Sequence, residues 1–126
     1  MIDFQNASFL KLRAVPNSSY EAIVAPTFVR NEQIVATFQS VRDGVVFTNK
    51  RIIAINVQGI TGKKKDMTSL LFSKIQAFSV ESAGTFDLDC ELDLWFSGLG
   101  KVRFEFANNI NVSEIGRIIS EFTIDY

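Results

Sequence analysis

Hydrophobic and polar positions along this chain follow two periods, and the change between them divides it. From Glu32 to Phe106 the dominant period is two. Residues 33–38 (QIVATF) and Gly44–Thr48 (GVVFT) are rich in β-branched and aromatic side chains, with Arg42-Asp43-Gly44 supplying turn chemistry between them. Residues 51–57 (RIIAINV) follow after Asn49-Lys50, a tight hairpin signal, and residues 58–66 (QGITGKKKD) read as a long polar loop. Residues 67–72 and 75–80 predict two more strands, separated by Ser73-Lys74. Alternation is clearest in the last pair. Leu88, Cys90, Leu92, Leu94 and Phe96 share one face, with Asp87, Asp89, Glu91 and Asp93 on the other. After Gly98-Leu99-Gly100, Val102, Phe104 and Phe106 alternate with Lys101, Arg103 and Glu105. This pattern predicts a hairpin with one buried and one wet face.

The period then becomes helical. Ile115, Ile118, Ile119 and Phe122 recur at three- and four-residue spacing, and Asn111 stands as N-cap with Glu114 at the third helical position. An amphipathic helix of about three turns is expected there. Before Glu32 the signal differs again: Phe4, Phe9, Leu10 and Leu12 predict a short helix over residues 6–13, which Pro16 with Asn17-Ser18-Ser19 ends. Pro26 discourages a second helix over residues 20–29. The expected organisation is an N-terminal extension, residues 1–30, that packs over the domain or against a neighbouring subunit, and a domain at residues 31–126.

Composition narrows the chemistry. With 126 residues, 47% of them apolar and 21% charged, the chain suits one globular domain rather than a disordered segment. It has no histidine, which removes the usual general base near neutral pH and the commonest transition-metal ligand. A single cysteine excludes an internal disulfide, and Cys90 alternates with core leucines as a small buried hydrophobe. The glycines match neither a dinucleotide-binding nor a P-loop spacing. No catalytic residue, cofactor or metal is therefore expected, and the protein reads as a non-enzyme. Thirteen basic against fourteen acidic residues give a net charge of −1, which is not the basic excess of a nucleic-acid binder. The start lacks the basic and apolar regions of a signal peptide, and no window approaches the roughly 20 apolar residues of a membrane span. A cytoplasmic protein is expected.

Seven short strands followed by one amphipathic helix is the element order of the pleckstrin-homology superfold. The stretch from Asp43 through Thr48-Asn49-Lys50-Arg51 to Ile55 resembles the signature hairpin of bacterial pleckstrin-homology-like domains, and residues 69–75 (SLLFSKI) are similar to the hairpin that follows it. Many members carry proline where this chain has Leu71, a difference at a strand edge. The resemblance covers residues 30–124. It implies a mainly β (α+β) fold, a bent seven-stranded antiparallel barrel or sandwich capped by a C-terminal α-helix, here with a short N-terminal helical extension. It also implies a domain of uncharacterised function, similar to members that assemble into closed homo-oligomeric rings. Eukaryotic relatives bind phosphoinositides through a basic loop between their first two strands; Val41-Arg42-Asp43-Gly44 is short and nearly neutral.

Two constellations remain as candidate sites. Lys63, Lys64 and Lys65 form the only basic run, beside Gly59 and Gly62, and could hold an anionic lipid head group or peptide; a solvated hairpin tip is the bland reading. Asp87, Asp89, Glu91 and Asp93 set carboxylates along a line instead of around a point, with Lys101 and Arg103 on the next strand as partners. That suits a solvated or interface-facing row better than a metal site. Trp95 continues the acidic parity, so its ring either points outward as an interface anchor or is turned back into the core by a bulge near Gly98. The leading expectation is a homo-oligomeric ring-forming interaction module whose partner is itself, with Trp95, Asp89, Glu91, Asp93, Lys101 and Arg103 at the interface. The alternative is a peripheral binder of anionic lipid through the three lysines.

Overall fold

The computed structural model describes residues 8–41, 43–58, 63–81, 90–107 and 110–124. They form two compact units, one of residues 14–71 and one of residues 8–13 with 72–124.

The first unit is an antiparallel meander of β2 (Ile34–Gln39), β3 (Gly44–Thr48), β4 (Arg51–Gln58) and β5 (Lys64–Leu71), in the order β5-β4-β3-β2. β3 is buried along its whole length, which explains why its sequence is apolar almost throughout instead of alternating. Val45 and Phe47 lie on one face, where Phe47 meets Phe38 edge to face with ring centroids 5.5 Å apart. On the other face Val46 packs with Ile53 and Ile55 beneath Tyr20 and Val24. Those last two come from a strap of three short helical turns, Asn17–Ser19, α1 (Glu21–Val24) and Ala25–Thr27. The strap approaches closely: a Cβ on Gly44 would lie 2.5 Å from the Tyr20 ring. Only glycine fits at that position.

The second unit holds β1 (Ser8–Ala14, of which residues 8–13 belong here), β6 (Ile75–Glu81), β7 (Cys90–Phe96) and β8 (Gly100–Phe106), in the order β1-β8-β7-β6. β6, β7 and β8 are antiparallel, whereas β1 runs parallel to β8. Cys90, Leu92, Leu94, Phe96, Val102, Phe104 and Phe106 are all buried, as their parity predicts. Helix α2 (Val112–Thr123) lies against β6 and β7 and buries Ile115, Ile118 and Ile119. Asn111 caps it: its side-chain oxygen accepts from the Ser113 and Glu114 N–H groups at 3.0 and 3.3 Å. Phe122 stacks on Phe72, from the short turn Phe72–Lys74, with centroids 5.9 Å apart.

The seven expected strands are β2 to β8, and the C-terminal helix is where its period placed it. Three details differ. The helix predicted over residues 6–13 is strand β1 from Ser8 onward, with its register broken between Phe9 and Leu12, where Lys11 has φ +58°. A short apolar run fits either period, and pairing with β8 decides for the strand. The helical extension lies instead at residues 17–27, because Pro26 sits in the first turn of a 3-10 helix, where no backbone N–H is needed. Finally, β5 begins at Lys64 rather than Met67, so the last three residues of the expected polar loop are strand.

Candidate interaction surface

Side-chain alternation and register place three rows of residues on the face of β6, β7 and β8 opposite the buried one. The rows are Glu81, Glu91 and Glu105; then Ser79, Asp93 and Arg103; then Ala77, Trp95 and Lys101. Arg103 is the cation at the centre. Its Nε donates to Asp93 Oδ1 at 2.9 Å and a terminal nitrogen donates to Oδ2 at 3.1 Å, a two-pronged pairing. The other terminal nitrogen lies 3.5 Å from Glu91 Oε2, and Lys11 Nζ lies 3.3 Å from Glu105 Oε1.

The face is thus polarised along its strands, acidic at the Glu81 end and aromatic with a lysine at the Trp95 end. Partial burial holds the Glu91 carboxyl above its usual range; Arg103 opposes this, and Glu81, Asp93 and Glu105 reinforce it. The Arg103 guanidinium is held further on its charged side by the Asp93 hydrogen bonds first and by the charges of Asp93 and Glu91.

Trp95 points outward. It remains 38% exposed while both neighbours, Leu94 and Phe96, are buried, so alternation continues unbroken to the end of β7. The reversal comes later, at Gly98 and Gly100 with φ of +77° and +98°, and leaves Leu99 half exposed at the tip. Asp87 and Asp89 lie outside the described residues. Lys63, Lys64 and Lys65 are all exposed, at and just before the start of β5, but Lys64 and Lys65 are successive strand residues and leave opposite faces. They do not converge on a point. Among the described residues, no three His, Cys, Asp or Glu side chains group so as to hold a metal ion. No helix among them is long and apolar enough to cross a membrane.

One cluster escaped the sequence reading. Glu32 is buried in the first unit and accepts from Val29 N–H (3.0 Å), Thr48 Oγ1 (2.7 Å) and Arg51 Nε (2.9 Å). Arg51 also donates to the Thr27 carbonyl at 2.8 Å and to Ser69 Oγ at 3.1 Å. Asn49 completes the arrangement, accepting from Gln33 N–H at 2.9 Å and donating to the Asn31 carbonyl at 3.0 Å. The Thr48-Asn49-Lys50-Arg51 hairpin therefore ties down the strap. Its sequence signals are an arginine at the head of a largely apolar strand and a lone glutamate that opens the β pattern. This cluster is structural: its polar groups satisfy one another.

A family model described as Bacterial PH domain matches residues 3–123. The uncharacterized protein YjqA of Bacillus subtilis (strain 168) is 40% identical over 117 residues, which cover 91% of this chain and 90% of that protein. YozO of the same organism, also uncharacterized, is 31% identical over 93 residues, or 74% of this chain and 80% of that one. Among solved structures, a DUF1696 family protein with a pleckstrin-homology domain from Shewanella loihica PV-4 matches with TM-score 0.80 at 37% identity, covering 91% of this chain and 99% of that one. A pleckstrin homology domain from Shewanella amazonensis SB2B gives TM-score 0.67 at 38% identity, with 88% and 90% covered. These likenesses extend over both units.

Proposed function

This chain belongs to the bacterial PH domain family, and we propose that it works as a non-enzymatic, self-assembling interaction module whose copies close into a ring. The observation that carries this reading is the outward Trp95. A tryptophan left partly exposed on a regular strand, beside the small Ala77 and the stem of Lys101, is the kind of flat apolar anchor that binding surfaces use. A second copy of the chain suits it as partner, because the acidic end of this face has a complement elsewhere on the same chain, in the exposed lysines at the start of β5. Charged residues around such an anchor steer and orient association more than they strengthen it.

Trp95 is the only tryptophan in the chain, so its fluorescence reports this contact directly. Concentrated protein should show blue-shifted emission protected from a soluble quencher, and dilution should shift the emission to the red and open it to the quencher. Emission and quencher access that stay the same from nanomolar to high micromolar protein contradict the reading.

Binding of anionic lipid head groups at Lys63, Lys64 and Lys65 is the competing reading, favoured by the exposure of all three. Co-sedimentation with phosphatidylserine vesicles that disappears on replacing the three lysines with alanine would support it.

A further inference from the structure

A ring needs two different surfaces that meet head to tail, and the Trp95 face supplies one of them. The mate can be sought among open strand edges. β5 has a strand neighbour on one flank, β4, and β6 has one on one flank, β7, among the described residues. Proteins usually blunt such edges with lysine, proline or a bulge. β6 (IQAFSVE) contains neither lysine nor proline, and its one irregularity is confined to Ile75–Ala77. β5 carries lysine only at its first two positions, after which Met67 and Leu71 are 42% and 43% exposed.

We propose that the edge of β5 in one copy adds antiparallel to the edge of β6 in the next, placing Met67 and Leu71 beside Trp95. The proposal rests on the self-assembly reading above and names the surface that completes it.

Charge selects the direction. Antiparallel addition brings the lysine end of β5 to Glu81 at the end of β6, whereas parallel addition brings it to Lys74, just before β6. Burial selects the parity, and charge then selects the register. With Lys65 opposite Glu81, Met67 falls opposite Ser79 and Ser69 opposite Ala77, so these four exposed residues share a face, and half-buried Thr68 falls opposite half-buried Phe78. Strands of eight and seven residues give a ladder of roughly 20–24 Å. Ala77 separates Trp95 from the incoming strand, and its methyl group is small enough for the indole ring to reach across it. Met67 and Leu71 are then the diagonal neighbours of Ala77, about 7–8 Å away along the added strand and within reach of long side chains.

The test is disulfide trapping between two chains made distinguishable by mass, one carrying Met67→Cys and the other Ser79→Cys. Both sites are exposed, and the native Cys90 is buried, so the unsubstituted chain serves as the background. Mild oxidation of the mixture should yield a covalent heterodimer, while a Lys64→Cys and Lys74→Cys mixture, which reports parallel addition, should yield none. A native mass above that of one chain without the Met67–Ser79 cross-link overturns edge pairing and leaves self-assembly standing. Preferential trapping of the Lys64–Lys74 mixture also overturns the proposed direction. A single-chain native mass for the unsubstituted protein overturns both this proposal and the reading it rests on.

Discussion

Glu32 places a carboxylate in a buried site and surrounds it with donors, so its energetics turn on whether all of them are kept. Burial alone would raise its pKa, but the Arg51, Val29 and Thr48 hydrogen bonds together outweigh that and hold it below the usual glutamate value. Because the folded pKa is depressed, the ionised group contributes stability that is complete above the unfolded value, about 4.3. That contribution is lost as the pH falls through the lower folded value. Glu32→Ala strands the Arg51 guanidinium, whose side chain is 16% exposed, and should cost about 3 kcal/mol in urea denaturation at neutral pH. The gap between wild type and variant should narrow in acid, below about pH 4. A loss under about 0.5 kcal/mol, the range of a surface substitution, contradicts the staple. Little of this was legible beforehand. The residues were conspicuous singly, but a contact between positions 32 and 51 depends on the strap folding back, which no local period encodes. Trp95 is an intermediate case: its parity on an alternating strand left two orientations open, and the strand's regularity up to Phe96 decides for the outward one.

Among the elements, legibility followed length and regularity. β7, β8 and α2 carry long apolar periods with their caps and turns, and the structure reproduces them. β3 concealed a second covering layer, since a strand buried on both faces shows no alternation to read. Residues 8–13 were misread because a few apolar residues fit a helix as readily as a bulged strand, and only the β8 backbone decides. The strap belongs at this scale too, and its seat on Gly44 can be measured. Gly44→Ala puts a Cβ into the Tyr20 ring, and overpacking of that kind costs about 1–3 kcal/mol. Adding Tyr20→Ala removes the clash, so the penalty of Gly44→Ala should nearly vanish in that background. A double-mutant cycle by urea denaturation checks this, and additive losses contradict the contact.

For the molecule as a whole, the family was legible from one hairpin and the order of its elements, and the match over residues 3–123 agrees. The binding partner was not, because sequence gives the composition of a surface and not its mate. The proposed mate is a second copy of the chain, met through the face that carries Trp95 and through the edges of β5 and β6. The ion pairs on this face lie within one chain, so in the proposed assembly the driving force is apolar burial around Trp95 added to a backbone ladder, and association should persist in moderate salt while losing speed. The most direct measurement is native mass by light scattering at micromolar concentration, on the wild type and on Trp95→Ala. The account predicts a discrete mass at a whole multiple of 14.1 kDa for the wild type, shifted toward the single chain by the substitution. A wild-type mass of 14.1 kDa throughout the micromolar range contradicts it.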